Sequence, residues 1–297
     1  MKKILVTGST GNVGMAVIKS LSFLNHSYKI CAGVRDLSSD TDKLKNYNVS
    51  PVHFDFTDPS TYHAALTNCD ILFLLRPPQI SDVEKYFKPL IEIAKDRNVE
   101  HIVFLSVQGV EKSKIIPHHK IEKLLVNCRI PYTFLRPAYF MQNFLGSLQN
   151  DLVNRRTIFL PAGNALFTLV DVEDVGKVAA KVLINTSEHL NKAYELTSNE
   201  LLTFKEMAQL LTQGLAVEIN YTSPNLIRFF IAKRKEKVAT GLILVMIMLH
   251  YFPRFQNAPL VSRWIEKITG KLPHSFAEFI QLNKSHLMRL STLTIKR

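Results

Sequence analysis

Cysteine is scarce: Cys31, Cys69 and Cys128 are the only three in 297 residues. Three scattered thiols build neither a disulfide framework nor a zinc site, so no metal is expected and a reducing, cytoplasmic setting is. Glycine is scarce too, with 11 in all, and 46% of residues are hydrophobic against 21% charged. That balance excludes disorder, collagen-like repeats and low-complexity linkers. No apolar run is long. The longest, 238–249, would reach about 18 Å as a helix, well short of a hydrocarbon core of about 30 Å. It reads as a buried helix, with a membrane-surface element as the alternative. Near the start, Ile4-Leu5-Val6 is shorter than the roughly 7–15 apolar residues of a secretory signal.

Acidic residues thin out towards the C-terminus. From Asn225 onward there are 13 Lys and Arg against Glu236, Glu266 and Glu278, a net +10, whereas the rest carries 24 against 22. The excess reads as a solvated basic surface. Nucleic acid and anionic membrane are the alternatives, but no aromatic-interleaved binding motif accompanies the charge, and neither partner is expected.

The first half alternates apolar β-type runs with helical stretches. Strands are expected at 3–7, 28–34, 49–55, 71–75, 101–106 and 132–136. A helix is expected over 14–24, and Asp58-Pro59 marks the start of another. Ser81-Asp82-Val83-Glu84, Thr203-Phe204-Lys205-Glu206 and Ser275-Phe276-Ala277-Glu278 have capping-box form. A further helix, 172–183, enters through Asp171, and 217–221 is strand-like. Such alternation predicts an α/β fold with a parallel sheet and helices on both faces. We place a nucleotide-binding domain at 1–185 and a smaller, mostly helical C-terminal lobe at 186–297.

Three glycines fall within seven residues: Gly8, Gly11 and Gly14, in Gly8-Ser9-Thr10-Gly11-Asn12-Val13-Gly14. They follow the first strand and open the first helix. There a sharp turn brings bare backbone against a pyrophosphate, and the helix N-terminus points its free N–H groups at the anion. Gly8 makes the turn, Gly11 permits close approach, and Gly14 lets helix pack on strand. This is a dinucleotide loop of Rossmann type. About 20 residues on, Val34-Arg35-Asp36 ends the second strand where the adenosine ribose lies. An acid there suits the free 2′-hydroxyl of NAD, and an arginine grips the 2′-phosphate of NADP. Arg35 favours NADP (NADPH) over NAD.

These residues resemble the extended and atypical short-chain dehydrogenases/reductases, and further motifs narrow the resemblance to the NmrA-like group, which includes isoflavone reductases, quinone oxidoreductases and NADPH-sensing regulators. The motifs are Phe54-Asp55-Phe56-Thr57-Asp58, Leu74-Leu75-Arg76-Pro77-Pro78, Ile102-Val103-Phe104-Leu105-Ser106 and Pro131-Tyr132-Thr133-Phe134-Leu135-Arg136-Pro137 running into Phe140-Met141-Gln142-Asn143. Asp171-Val172-Glu173-Asp174-Val175 and Thr269-Gly270-Lys271-Leu272-Pro273-His274-Ser275-Phe276 complete the set. The resemblance implies a Rossmann-type doubly wound parallel sheet. It implies that Ser9, Thr10, Asn12 and Val13 join the glycines at the pyrophosphate, and that Arg35 meets the 2′-phosphate. Asp55 and Phe56 would lie by adenine, Leu75, Arg76 and Pro77 along the middle, and Pro137, Tyr139 and Phe140 near the nicotinamide. Arg76 departs from relatives that carry a small or polar residue there.

Short-chain dehydrogenases reduce carbonyls with a Tyr-x-x-x-Lys pair, but four residues before Lys120 stands Ile116, and no tyrosine occurs between Phe87 and Pro131. By the resemblance, the slot of the functional lysine in isoflavone-reductase relatives falls on His118, with Glu122 one turn later on the same helix face. A histidine of ordinary pKa can donate a proton near neutrality or bind ribose. Ser106 at a strand end and Tyr139 are the other candidate polar groups. The reading is hydride transfer from NADPH to a quinone-like or other apolar electrophile. The alternative is a non-catalytic NADP(H) sensor acting through protein partners. The apolar run 242–249 with Phe229, Phe230, Tyr251, Phe252 and Phe255 is expected either to line an apolar substrate pocket or to form plain core.

Overall fold

A computed structural model describes residues 1–288. The strands are β1 (Lys3–Val6), β2 (Lys29–Val34), β3 (Ser50–His53), β4 (Ile71–Leu75), β5 (His101–Leu105), β6 (Tyr132–Pro137), β7 (Tyr139–Phe140), β8 (Thr157–Phe159), β9 (Leu166–Val170), β10 (Lys192–Leu196), β11 (Leu201–Thr203) and β12 (Asn220–Thr222). The helices are α1 (Asn12–Ser22), α2 (Leu37–Leu44), α3 (Ser60–Ala65), α4 (Val83–Asp96), α5 (Pro117–Cys128), α6 (Gln149–Arg155) and α7 (Val172–Ile184). Then come α8 (Phe204–Leu215), α9 (Leu226–Lys235), α10 (Thr240–Tyr251), α11 (Trp264–Thr269), α12 (Phe276–Leu282) and α13 (Lys284–Met288).

The chain divides into two compact units. The first comprises Met1–Ala138, Val172–Leu196 and Arg263–Leu272. Its seven-stranded sheet has the order β10-β6-β5-β4-β1-β2-β3, every neighbour parallel. This is the Rossmann-type doubly wound arrangement. Runs such as Ile71–Phe73 and Ile102–Phe104 are wholly buried because helices cover both faces. The order reverses between β1 and β4, and there the carboxyl ends of the strands open the crevice in which such sheets take ligands.

The second unit comprises Tyr139–Asp171, Thr197–Ser262 and Pro273 onward. It carries a three-stranded sheet, β11-β9-β7, and the pair β12-β8. Its core gathers Met141, Phe144, Phe204, Phe229, Phe276 and Phe279. Both units are discontinuous, so no single cut in the chain separates them.

Several local expectations need correction. The N-cap of α4 is Asp82, whose carboxylate accepts from the Lys85 N–H, so the cap lies one residue past Ser81. The other two capping boxes form as expected at Thr203 and Ser275. The strand expected at 217–221 shrinks to β12, because its parallel register with β8 lasts three residues. The buried-helix expectation for 238–249 holds on one face only: Ile243, Met246 and His250 are buried, while Leu242, Leu244, Val245, Met248 and Leu249 are exposed.

Candidate functional site

The glycine loop leaves β1 at Thr7. The Thr7 hydroxyl joins its own N–H in donating to the Phe73 carbonyl at 3.0 Å and accepts the Leu75 N–H at 2.9 Å where β1 and β4 part. Gly8 then turns with φ +61°, a left-handed conformation that glycine adopts without penalty. A Cβ on Gly14 would stand 2.2 Å from the Gly8 carbonyl oxygen, so helix and loop touch backbone to backbone. Gly11 is the N-cap of α1, and no side chain caps that end. No acid lies in the first turn. The first-turn amides therefore have neither a competing side-chain acceptor nor a neighbouring acid and are open to an anion. Ser9 is buried and spends its hydroxyl on the Gly33 carbonyl at 2.7 Å, bracing the loop on β2. Asn12 is exposed, and Thr10 partly so.

At the tip of β2 the neighbouring charges separate. The Asp36 carboxylate caps α2, accepting from the N–H and hydroxyl of both Ser38 and Ser39. Those bonds, the Ser38 hydroxyl first, hold it well below the usual carboxylate range. Arg35 is exposed and forms no ion pair among the described residues. Asp55 accepts from Thr57 N–H and hydroxyl in a local turn. Phe56 is buried, its ring packed on Phe54 and Phe87.

At the end of β4, Leu75 lies against Gly8. Arg76 turns its guanidinium onto its own loop, donating through Nη1 to the carbonyls of Pro77, Pro78 and Ile80. Its Nε donates to His118 Nε2 at 3.2 Å. His118 is thus a neutral acceptor at Nε2, and its remaining proton is assigned to Nδ1. Burial, reinforced by the guanidinium, lowers its pKa to about 3. This corrects the expectation of ordinary histidine acidity: no imidazolium stands here near neutrality. Glu122 does not meet His118; it is buried in a bidentate pair with Arg136, at 3.0 and 2.7 Å.

Leu75 is in register with Leu105, so Arg76 and Ser106 leave adjacent strand ends. Ser106 is buried, and its hydroxyl has no hydrogen-bond partner among the described residues. A buried orphan hydroxyl at the carboxyl end of a central strand is the kind of exception that asks for a missing ligand. Pro137 closes β6, and its carbonyl accepts the Gln108 N–H.

Tyr139 and Phe140 belong to the second unit. The Tyr139 hydroxyl lies 3.2 Å from His250 Nε2, and His250 Nδ1 is 2.6 Å from the Met246 carbonyl. The Nδ1 proton therefore serves Met246, and the phenol donates to Nε2. Burial raises the Tyr139 pKa and lowers that of His250 to about 4. Nothing in the sequence pairs these residues, which are 111 positions apart. Among the described residues, no group of three or more His, Cys, Asp or Glu is arranged to hold a metal ion.

Known proteins resemble this chain over most of its length. Prestalk A differentiation protein A of Dictyostelium discoideum is 28% identical over 276 residues, covering 93% of this chain and 90% of its own. An NAD(P)H azoreductase of Xenophilus azovorans is 26% identical over 280 residues, covering 93% and 96%. The crystal structure of an NADPH-dependent quinone oxidoreductase from Escherichia coli, complexed with NADPH, has the same fold, with a TM-score of 0.85 at 23% identity over 94% of this chain and 99% of that one. The family model for the NmrA-like family matches residues 1–266. The chain belongs to the NmrA-like family.

Proposed function

We propose that the first unit binds NADPH and that the protein is an oxidoreductase passing a hydride from it to an apolar acceptor of quinone type. The observation that carries this reading is the glycine cradle, where Gly14 packs on Gly8 with no room for a Cβ beneath an uncapped, acid-free helix start. That geometry fits a diphosphate. The capping duty of Asp36 removes the acid that would prefer NAD, and the exposed Arg35 offers its fork to a 2′-phosphate. The kinship with an NAD(P)H azoreductase and the shared fold of a quinone oxidoreductase support the reaction class.

The nicotinamide, when bound, supplies the hydride. The residues of this chain hold and orient. Gly8 to Gly14 receive the diphosphate, Leu75 and Pro77 line the middle, and the Arg76–His118 bond keeps that loop in place. The orphan Ser106 hydroxyl is available to the carboxamide or to an acceptor oxygen. Reduction of a quinone to a hydroquinone needs one proton as well as the hydride. The phenol-lysine pair is missing and His118 is neutral, so water is the source. Three free cysteines suit a reducing cytoplasm.

Calorimetric titration with NADPH and NADH, followed by NADPH oxidation against quinone and azo acceptors, tests this. Preferential NADPH binding with turnover is expected. Tight binding with no turnover on any acceptor would leave a cofactor-sensing regulator instead, and no binding removes both.

A further inference from the structure

The strongest feature outside the cradle is the solvent face of α10. At about 100° per residue, Leu242, Leu244, Val245, Met248 and Leu249 occupy one arc of about 160°. All five are exposed, Leu242 and Leu244 by more than half, and Phe252 just past the helix end is exposed too. The helix has no charged residue, and its buried side is spent on the core through Ile243 and Met246. Contiguous exposed apolar surface of this kind marks a partner.

The preceding helix says which partner. On α9 the exposed arc carries Ile227 (74% exposed) and Ile231 (50%). By the same angular spacing Arg234 borders them on one side, and Lys235 and Arg228 border them on the other. Apolar side chains between long cations are the pattern of an element lying in a headgroup layer, stems buried and charges at the phosphates. Between Asn225 and Ser262 the only acid is Glu236, against six Lys and Arg. Glu236 is already engaged by Lys233 and Arg155. A two-fold pairing of this face with a second copy would set the cations of α9 against themselves with no acid to answer them. Nucleic acid offers nothing to an arc without polar groups. No helix of the described residues is long and apolar enough to cross a membrane. Of the basic quarter, Arg289, Lys296 and Arg297 lie outside the described residues.

We propose that α9 and α10 form a peripheral docking surface for an anionic phospholipid bilayer. The α10 arc enters the headgroup layer, and Arg228, Arg234 and Lys235 meet lipid phosphates. The surface stands independently of the dinucleotide reading, although an apolar acceptor dissolved in a bilayer would be delivered to it.

Co-sedimentation of the full chain with vesicles tests the proposal, using phosphatidylcholine alone and phosphatidylcholine mixed with phosphatidylglycerol. Binding to the mixed vesicles, weakening as salt screens the cations, is expected. Val245→Ser with Leu249→Ser should lower partitioning about tenfold or more, and Arg228→Gln with Lys235→Gln about twenty- to thirtyfold. Both pairs are exposed, so the unfolding midpoint and NADPH titration should stay as in the parent, which separates this test from that of the cofactor site. Absence of binding to mixed vesicles at low salt overturns the proposal. So does binding that ignores lipid charge and both pairs of substitutions. A dimer in ultracentrifugation that Val245→Ser with Leu249→Ser dissolves also overturns it, by assigning the face to a second copy.

Discussion

Asp36 and Arg35 are adjacent, yet only one of them is free for a ligand. The four hydrogen bonds from Ser38 and Ser39 tie the carboxylate to α2. Arg35→Ala is therefore expected to weaken NADPH binding by about 1.5–3 kcal/mol and to leave NADH nearly unchanged, as read by calorimetry. The Asx-type cap was open to a sequence reading, since Asp-x-Ser-Ser is a capping pattern. The Arg76–His118 bond was not, because the pair are 42 positions apart and their meeting depends on the register of β4 and the start of α5. Buried histidines give a second expectation at this scale. Burial lowers His101 and His250 to about 4 and His118 to about 3, against an ordinary 6.5. Between those limits the unfolded chain binds protons that the folded one refuses, so stability present above pH 6.5 is lost as the pH falls. Each fully buried imidazole contributes about 2 kcal/mol of that loss at pH 5. The thermal midpoint should fall between pH 7 and pH 5, and His250→Gln should flatten the slope.

Among elements, the contact of α1 with the loop before it is the least forgiving. A methyl on Gly14 meets the Gly8 carbonyl oxygen and the Ser9 Cα, both backbone atoms that cannot swing away. Gly14→Ala should destabilise by about 1–3 kcal/mol or more in denaturant titration and abolish nucleotide binding. The cap of α8 is a milder case: Thr203→Ala should cost about 1 kcal/mol by the same measurement. The elements themselves were largely legible. Strands buried on both faces read as unbroken apolar runs, and β1 to β6 lie within a residue or two of the expected spans. β10 escaped notice because Lys192-Ala193-Tyr194-Glu195-Leu196 sits at the sheet edge and carries charge. The exposed face of α10 stood only as the membrane-surface alternative for another reason: hydrophobicity predicts burial, and a helix apolar all round gives no periodicity to say which side meets water.

For the molecule as a whole, the interleaving of the units has a practical result. β10 completes the large sheet on β6, and α11 packs on it from residues 264 to 269. A fragment ending at residue 185 would leave the β6 edge unpaired, and in circular dichroism it should unfold at lower denaturant than the full chain or fail to fold. The single boundary drawn from composition cannot see this, since rhythm along the chain records local elements and says nothing of which later segment returns. One small detail governs the mouth of the sheet. At the seam between its two halves the Thr7 amide and hydroxyl both donate to the Phe73 carbonyl at 3.0 Å, and the hydroxyl accepts the Leu75 N–H at 2.9 Å. A threonine side chain thus carries the ladder one step past the point where the backbone of β1 turns away, and Thr7→Val would leave the Leu75 N–H without that acceptor.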